Sequence, residues 1–204
     1  MIGVIPFSFE EMRWEDMPTV MAIEHRSFTL PWSASTYRHE LLENKNAYYF
    51  VLRYQAETSP RRFGWLTRRA RREPVVHIVG YAGFWLITDE AHISTIAVDP
   101  HWRGRGLGEY LLASMIERAI ALNAASITLE VREGNRVAQN LYRKYGFVVT
   151  GQRPRYYQDN HENALLMAVE GVNGDSYRQS FSRLTAALSA RLAQMNAYSL
   201  RNTV

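Results

Sequence analysis

The chain has 204 residues, 47% of them apolar and 22% charged, an ordinary globular balance that excludes a disordered polypeptide. It contains no cysteine, which excludes disulfides, Cys-ligated zinc, iron–sulfur clusters and a thiol nucleophile. The net charge of +4 is unevenly placed: residues 56–77 hold six arginines and two glutamates, and residues 171–204 hold four arginines and one aspartate. The other 148 residues carry 14 basic and 17 acidic groups, a mildly acidic core with two basic appendages. The first residues have no basic start and reach Glu10 and Glu11 early, unlike a secretion signal. The longest uncharged stretch, Pro74–Thr88, is too short to span a membrane. A cytoplasmic protein with no transmembrane segment is expected.

In chain order, Phe7–Arg13 alternates loosely and reads as a strand, and Asp16–Arg26 has apolar Met17, Val20, Met21 and Ile23 at helical spacing. Pro31-Trp32-Ser33 breaks the chain, and Ser33 or Ser35 is placed to cap a second helix that runs to Glu43. Ala47–Tyr54, Val75–Thr88 and His92–Val98 read as strands, the last two joined by an Asp89-Glu90 turn. Leu107–Leu122 carries one apolar stripe and reads as an amphipathic helix. Ser126–Val131 is a strand, and Arg136–Tyr145 a helix stopped by Gly146. Phe147–Tyr156 and Glu162–Val169 suit a closing antiparallel pair. In the tail, Tyr177, Phe181, Leu184, Leu188, Leu192 and Met195 recur at steps of three and four, an amphipathic helix capped by Asp175 or Ser176. Docking on its own domain is the first expectation for that helix, and docking on a twin subunit the second.

Ile96-Ala97-Val98-Asp99-Pro100-His101-Trp102-Arg103-Gly104-Arg105-Gly106-Leu107-Gly108 joins a strand, through a turn dense in arginine and glycine, to a long helix. Glycines let backbone N–H groups approach a ligand, and a helix N-terminus adds unpaired donors and the positive end of a dipole, which together suit a pyrophosphate. The segment is neither a Walker loop nor a dinucleotide fingerprint.

Three spaced motifs extend it: Arg103-x-x-Gly106-x-Gly108 after Ala97-Val98-Asp99-Pro100; Leu129-Glu130-Val131; and Asn135-x-x-Ala138-x-x-x-Tyr142 before Gly146-Phe147. In this order they resemble the GCN5-related N-acetyltransferase (GNAT) superfamily over roughly Phe7 to Val169. With Ile23-Glu24 and Phe28-x-x-Pro31-Trp32-Ser33, they look most like its RimI-type branch, which acetylates the N-terminal alanine of a small-subunit ribosomal protein. The resemblance implies an α/β GNAT fold: a mixed, mostly antiparallel, splayed sheet with helices on both faces, here followed by the C-terminal amphipathic helix. It implies one acetyltransferase domain over 1–170, interrupted by the arginine-rich insertion at 56–77, with 171–204 as a helical extension.

It also implies acetyl-CoA as cosubstrate, with no metal. The implied cofactor-binding residues are Ile96, Ala97, Val98, Arg103, Gly104, Arg105, Gly106, Leu107, Gly108, Glu109, Asn135, Ala138 and Tyr142. Pantetheine would pair with the backbone of Ile96–Val98, and an N–H near Val98 would polarise the thioester carbonyl. Glu130 is implied as general base acting through water. Alternation supports this, since Ile127, Leu129 and Val131 take one face of the strand while Thr128 and Glu130 take the other. Tyr142 is implied as general acid, and Asn135 also reads as a helix cap. Phe28, Pro31, Trp32, Tyr156 and Tyr157 are implied to line the acceptor site. Glu162-Asn163-Ala164 departs from the usual Glu-Asp-Ala, which puts acceptor specificity in question.

The six histidines (25, 39, 77, 92, 101, 161) show no metal-ligand spacing, and His92 is a reserve candidate for the base. Arg61–Arg72, interleaved with Phe63, Trp65 and Leu66, reads as a solvated loop or as an RNA contact. The expected activity is acetylation of a protein or peptide N-terminal α-amine, first of all the N-terminal alanine of a ribosomal protein, by a monomer or homodimer. Two alternatives stand beside it: a GNAT enzyme for a small amine, an antibiotic or a lysine, and a non-catalytic acyl-CoA- or RNA-binding module.

Overall fold

The structure, a computed structural model, describes residues 6–55 and 76–201, with side chains through residue 194. The described chain runs β1 (Phe7–Glu11), α1 (Met17–Ser27), α2 (Ala34–Leu42), β2 (Ala47–Gln55), β3 (Val76–Ile87) and β4 (Glu90–Val98). It continues with α3 (Leu107–Ala121), β5 (Ser126–Arg132), α4 (Arg136–Lys144), β6 (Val148–Arg153), β7 (Ala164–Glu170) and α5 (Asp175–Arg201). Among the described residues the strands form one sheet in the order β1-β2-β3-β4-β5-β7-β6. Every neighbouring pair is antiparallel except β4 with β5.

Alternation along the strands serves two cores. In β2, Phe50 and Leu52 enter a cluster with Leu107, Leu111, Met115 and Ile116 of α3, while Tyr49 and Val51 enter a second cluster with Val20 and Ile23 of α1 and Tyr37 of α2. The sheet is therefore covered on both faces, as expected. The tail helix belongs to the first core: Leu188 and Leu192 are buried in it, and the Tyr177 hydroxyl donates to the Tyr145 carbonyl at 3.0 Å. It docks on its own domain. Among the described residues no helix is long and apolar enough to cross a membrane.

Several boundaries differ from the sequence reading, for local reasons. Val76 and His77 pair with Gln55 and Tyr54, as the expected strand Val75–Thr88 anticipates, so the 56–77 bounds of the insertion overlap β3 at these two residues. Residues 56–75, with the Arg61–Arg72 cluster, lie outside the described residues. The β3–β4 turn is Thr88-Asp89, with Thr88 at φ 59°, and Glu90 is already in the ladder opposite Ile87. The last strands run Val148–Arg153 and Ala164–Glu170 instead of Phe147–Tyr156 and Glu162–Val169, and in the connection between them Tyr157 N donates to the Glu162 carbonyl at 3.1 Å. Ser33, rather than Ser35, caps α2 by accepting from Thr36 N at 3.1 Å.

Candidate active site

The splay between β4 and β5 makes the site. Their parallel pairing covers only Glu90–Ile93 against Ser126–Leu129. Beyond it the edge of β4 that faces β5 has no strand partner among the described residues, and this edge contains Ile96, Ala97 and Val98.

The chain then enters the glycine-rich turn. Asp99 opens it by accepting from the backbone N–H of His101 at 3.0 Å, and its other oxygen pairs with Arg26 at 2.5 Å. Burial works against the Asp99 charge, yet the His101 donors and Arg26 together hold its pKa below the ordinary value. Gly104 and Gly106 both have φ 75°, a left-handed conformation that costs a residue with a side chain roughly 1–2 kcal/mol. Gly106 caps α3, whose first backbone bond runs from Tyr110 N to Gly106 O at 3.0 Å. The N–H groups of Leu107, Gly108 and Glu109 therefore have no acceptor within the helix. A Cβ built on Gly104 would meet nothing within 4 Å, so the turn faces open space.

The charged side chains of the turn brace it. Arg103 donates to the Val98 carbonyl at 3.1 Å and to Ser27 Oγ at 3.3 Å. Arg105 stacks over Trp102, 4.7 Å from the ring centre, and reaches the His101 carbonyl at 3.4 Å. The Glu109 carboxylate is buried and taken up by Lys144 at 2.5 Å, Arg191 at 2.6 Å and the Tyr145 hydroxyl at 3.0 Å. Burial opposes its charge, but these three donors prevail and lower its pKa. Glu109 thus ties α3 to α4 and α5; of its groups, only the backbone N–H is free to meet a ligand.

On the far side of the splay, Asn135 Oδ1 accepts from Ala138 N at 3.2 Å and caps α4. Tyr142, one face further along α4, is buried, with its ring 5.9 Å from Phe147. Burial raises its pKa, so the hydroxyl keeps its proton at neutral pH. Gly146, at φ 88°, lets the chain turn back after α4.

Glu130 stands between these parts on β5, its side chain 12% exposed. His92 Nε2 lies 3.0 Å from Glu130 Oε2, and Arg153 reaches the other oxygen at 3.4 Å. The His92 hydrogen bond is the main reason its pKa is lowered; burial opposes this, and the charges of His92 and Arg153 add to it. The carboxylate is ionised at neutral pH.

The side expected to meet the acceptor is assembled from distant segments. Arg132, at the end of β5, donates to Asp159 at 2.8 Å and Glu162 at 3.2 Å, and lies 3.8 Å from the centre of the Tyr157 ring. Asp159 also accepts from Thr29, which joins the loop after α1 to the loop between β6 and β7. Tyr156 and Tyr157 stand edge to face at 5.2 Å, and Arg153 covers Tyr156 while it reaches Glu130. Burial pushes the Tyr157 hydroxyl up to about 12, against the pull of Arg132.

Trp32 donates its backbone N–H to the buried Glu24 at 2.8 Å, and Glu24 also accepts from the hydroxyls of Tyr37 and Tyr81. The Trp32 ring lies against Tyr37 and stacks on Trp85, with Pro31 half-buried beside it, whereas Phe28 and Tyr156 are 39% and 42% exposed. Asn163 has work that suits an amide. Its Oδ1 accepts from Arg155 N and its Nδ2 donates to Glu133, both at 3.0 Å. A carboxylate there would face Glu133 with no proton to give.

The structure thus brings Glu130, Tyr156 and Tyr157 together and sets Trp32 in a wall rather than in open space. Thr29, Trp85, Thr128, Arg132, Arg153 and Asp159 were not singled out from sequence. Only the period-two recurrence of polar residues at Glu90/His92 and Thr128/Glu130, on otherwise apolar strands, hinted at part of this group. Among the described residues there is no cluster of three or more His, Asp or Glu able to hold a metal.

A splayed sheet with an unpartnered strand edge and a glycine turn feeding a helix defines an acyl-CoA-type transferase scaffold. The Acetyltransferase (GNAT) family model matches residues 17–147, and the chain belongs to that family. It is an acetyl-CoA-dependent N-acetyltransferase. Among its relatives, a Bacillus subtilis protein provisionally named [ribosomal protein bS18]-alanine N-acetyltransferase is 40% identical over 158 residues, 78% of this chain and 91% of that protein. The Escherichia coli K12 [ribosomal protein bS18]-alanine N-acetyltransferase is 31% identical over 156 residues, 76% of this chain and 90% of that one. The crystal structure of the ribosomal-protein-S18-alanine N-acetyltransferase from Escherichia coli superposes with a TM-score of 0.64 at 28% identity, covering 81% of this chain and 94% of that one. Ard1 from Thermoplasma volcanium gives a TM-score of 0.63 at 25% identity, covering 81% and 98%.

Proposed function

We propose that this enzyme acetylates the N-terminal alanine of a ribosomal protein, bS18 or its equivalent, by direct attack of the free α-amine. The observation that carries this reading is Glu130, ionised at the mouth of the splay and linked through Arg153 to the tyrosine loop that would hold a peptide backbone. Relatives at 40% and 31% identity that bear this activity in their names support it.

Acetyl-CoA suits the residues present. The open β4 edge at Ile96–Val98 would take the pantetheine amides, the free N–H groups at the start of α3 the pyrophosphate, and small Ala138 leaves room beside Asn135. When bound, it supplies the acetyl group as an activated thioester. The residues of the chain do the rest. A free α-amine has an ordinary pKa of about 7.7–8.0, so a useful fraction is already neutral near pH 7.5. Glu130, through a water, takes the proton released as the amine attacks. The Tyr142 hydroxyl, which burial keeps protonated, would be the proton donor to the departing thiolate. A backbone N–H near Val98 would offer the carbonyl oxygen a donor.

The test is steady-state acetylation of an alanine-started bS18 peptide, set against free lysine, lysine side chains in an N-terminally blocked peptide, and polyamines. The α-amine is expected to give the highest kcat/KM by at least about tenfold, which is about 1.4 kcal/mol of discrimination. Glu130→Gln is expected to lower kcat about 100–10,000-fold, the usual contribution of a positioned base. A small amine that outcompetes the peptide would overturn the acceptor, and full activity in Glu130→Gln would overturn the base.

A further inference from the structure

The basic tail helix reaches the glycine turn. Arg191 stands three residues after Leu188 and next to Leu192, at the edge of the apolar stripe that docks α5 on the main core. Both leucines are buried, so the backbone of α5 is held on each side of Arg191. The guanidinium crosses to the first turn of α3, where Nη2 donates to Glu109 Oε2 at 2.6 Å. A Cβ built on Gly106 would lie 3.3 Å from Nη2, 3.8 Å from Nε and 3.4 Å from Leu192 Cδ2. The Nε–Nη2 edge of the guanidinium therefore lies beside Gly106, the cap of α3.

The ion pair with Glu109 does not by itself account for this placement. Glu109 carries one negative charge, and Lys144 on Oε1 at 2.5 Å already balances it. Arg191 leaves the cluster with a surplus of one positive charge, beside the N–H groups of Leu107, Gly108 and Glu109 that have no acceptor within the helix. The Glu109 side chain is 9% exposed and that of Arg191 46%, so the carboxylate is enclosed while the cation is open. The other N–H groups of Arg191 have no acceptor among the described residues. The arginines of the turn itself are engaged elsewhere, Arg103 with the Val98 carbonyl and Ser27, Arg105 with the His101 carbonyl and the Trp102 ring.

We propose that Arg191 binds a phosphate group of acetyl-CoA, so that the C-terminal helix completes the phosphate site that the glycine turn begins. This rests on the reading of that turn as the phosphate site of acetyl-CoA. A guanidinium suits the task because it stays charged and presents paired donors that match phosphate oxygens. Glu109 holds it in place beforehand, which lowers the side-chain entropy lost on binding. Gly106 gains a second reason to lack a side chain, since a Cβ there would press on the guanidinium. The family model matches residues 17–147, so this contact comes from a part of the chain that the model does not cover. It also gives a task to the basic charge of residues 171–204.

The test is calorimetric titration of the full chain with CoA and with dephospho-CoA, which lacks the ribose phosphate. The proteins compared are the wild type, Arg191→Gln and Arg178→Gln. Lys144 and Tyr145 still hold Glu109 in Arg191→Gln, so the fold is expected to survive, which thermal melts check. Arg191→Gln is expected to raise the CoA Kd about tenfold, the low end for a hydrogen bond to a charged group because the guanidinium is half-exposed. That gap is expected to shrink to about threefold or less between about 0.1 M and 1 M salt, as the screening length falls from about 10 Å to about 3 Å. Arg178, exposed near the start of α5 and about 20 Å away along the helix, is the control for overall charge, and its loss is expected to change Kd less than about twofold. Loss of affinity for both ligands assigns the contact to the pyrophosphate, and loss for CoA alone assigns it to the ribose phosphate; either result supports the inference. An unchanged CoA Kd in Arg191→Gln, with a wild type that binds CoA, overturns the inference and leaves the reading of the turn standing. A wild type that does not bind CoA overturns both. A loss that high salt does not diminish, or that Arg178→Gln reproduces, also overturns the inference, since the guanidinium would then act only as a tie between helices or as part of the overall charge.

Discussion

The half of this site proposed to hold the cofactor and the half proposed to hold the acceptor are built by different means. The cofactor half is mostly backbone: an unpartnered strand edge, two glycines at φ 75°, and helix-start N–H groups, with Arg103 and Arg105 folded inward as braces. The acceptor half is mostly side chains that tie remote segments together, such as Thr29 to Asp159 and Arg132 to Asp159 and Glu162. A backbone-built site depends on local conformation and tolerates most changes except at its glycines. A side-chain-built site depends on each partner, so it can change acceptor while the cofactor half stays fixed.

Four substitutions sharpen or break this comparison. The largest effect is expected away from both halves. Leu188→Ala removes a buried side chain of α5 from the main core and is expected to lower stability by about 2–5 kcal/mol, read by denaturant unfolding. A loss near zero would mean that α5 is not part of the folded domain.

Next comes Gly106→Val, which forces a branched side chain into a left-handed position where an added Cβ would lie 3.3 Å from the Arg191 guanidinium. The acetyl-CoA KM is expected to rise about tenfold or more, with the peptide KM little changed. Arg132→Ala is expected to do the reverse, raising the peptide KM several-fold to about tenfold, because Tyr157 and Asp159 lose their common partner. If either variant moved both KM values equally, the division into halves would fail.

The smallest effect is in acid. The Glu109 pKa is lowered in the folded protein, so its ionised form contributes stability above the ordinary value of 4.5, and that contribution fades as pH falls through the lowered value. The stability gap between wild type and Glu109→Gln is therefore expected to be constant at neutral pH and to close in acid. A gap unchanged down to low pH would contradict the assignment.

The same contrast explains what could be read from sequence. Element order and both cores follow from periodicity, and the glycine turn is contiguous, so the cofactor half was legible as a motif. Glu130 and Tyr142, the base and acid proposed above, were named from sequence because the motifs carry them. The Thr29–Asp159 bond links residues 130 positions apart, and no local pattern announces it. The His92–Glu130 contact depends on the register of two parallel strands, which neither strand specifies alone. Boundary differences were of the same kind: Thr88 adopts a positive φ without being glycine, and Val76 and His77, read both as strand and as the end of the insertion, belong to β3 because their partners in β2 are available. Glu109 reads as a residue of the cradle in sequence, but its carboxylate is drawn away by Lys144, Tyr145 and Arg191, the last of which comes from a helix the family motifs do not include.

The central claim is that the two halves meet at Glu130 to acetylate a protein α-amine. The most direct measurement is peptide-level mass spectrometry of full-length bS18 after incubation with the purified enzyme and acetyl-CoA, with Glu130→Gln in parallel. The account predicts one acetyl group, on the N-terminal alanine, formed by the wild type and almost absent with the variant. Acetyl groups on lysine side chains, or equal N-terminal acetylation by both proteins, would contradict it.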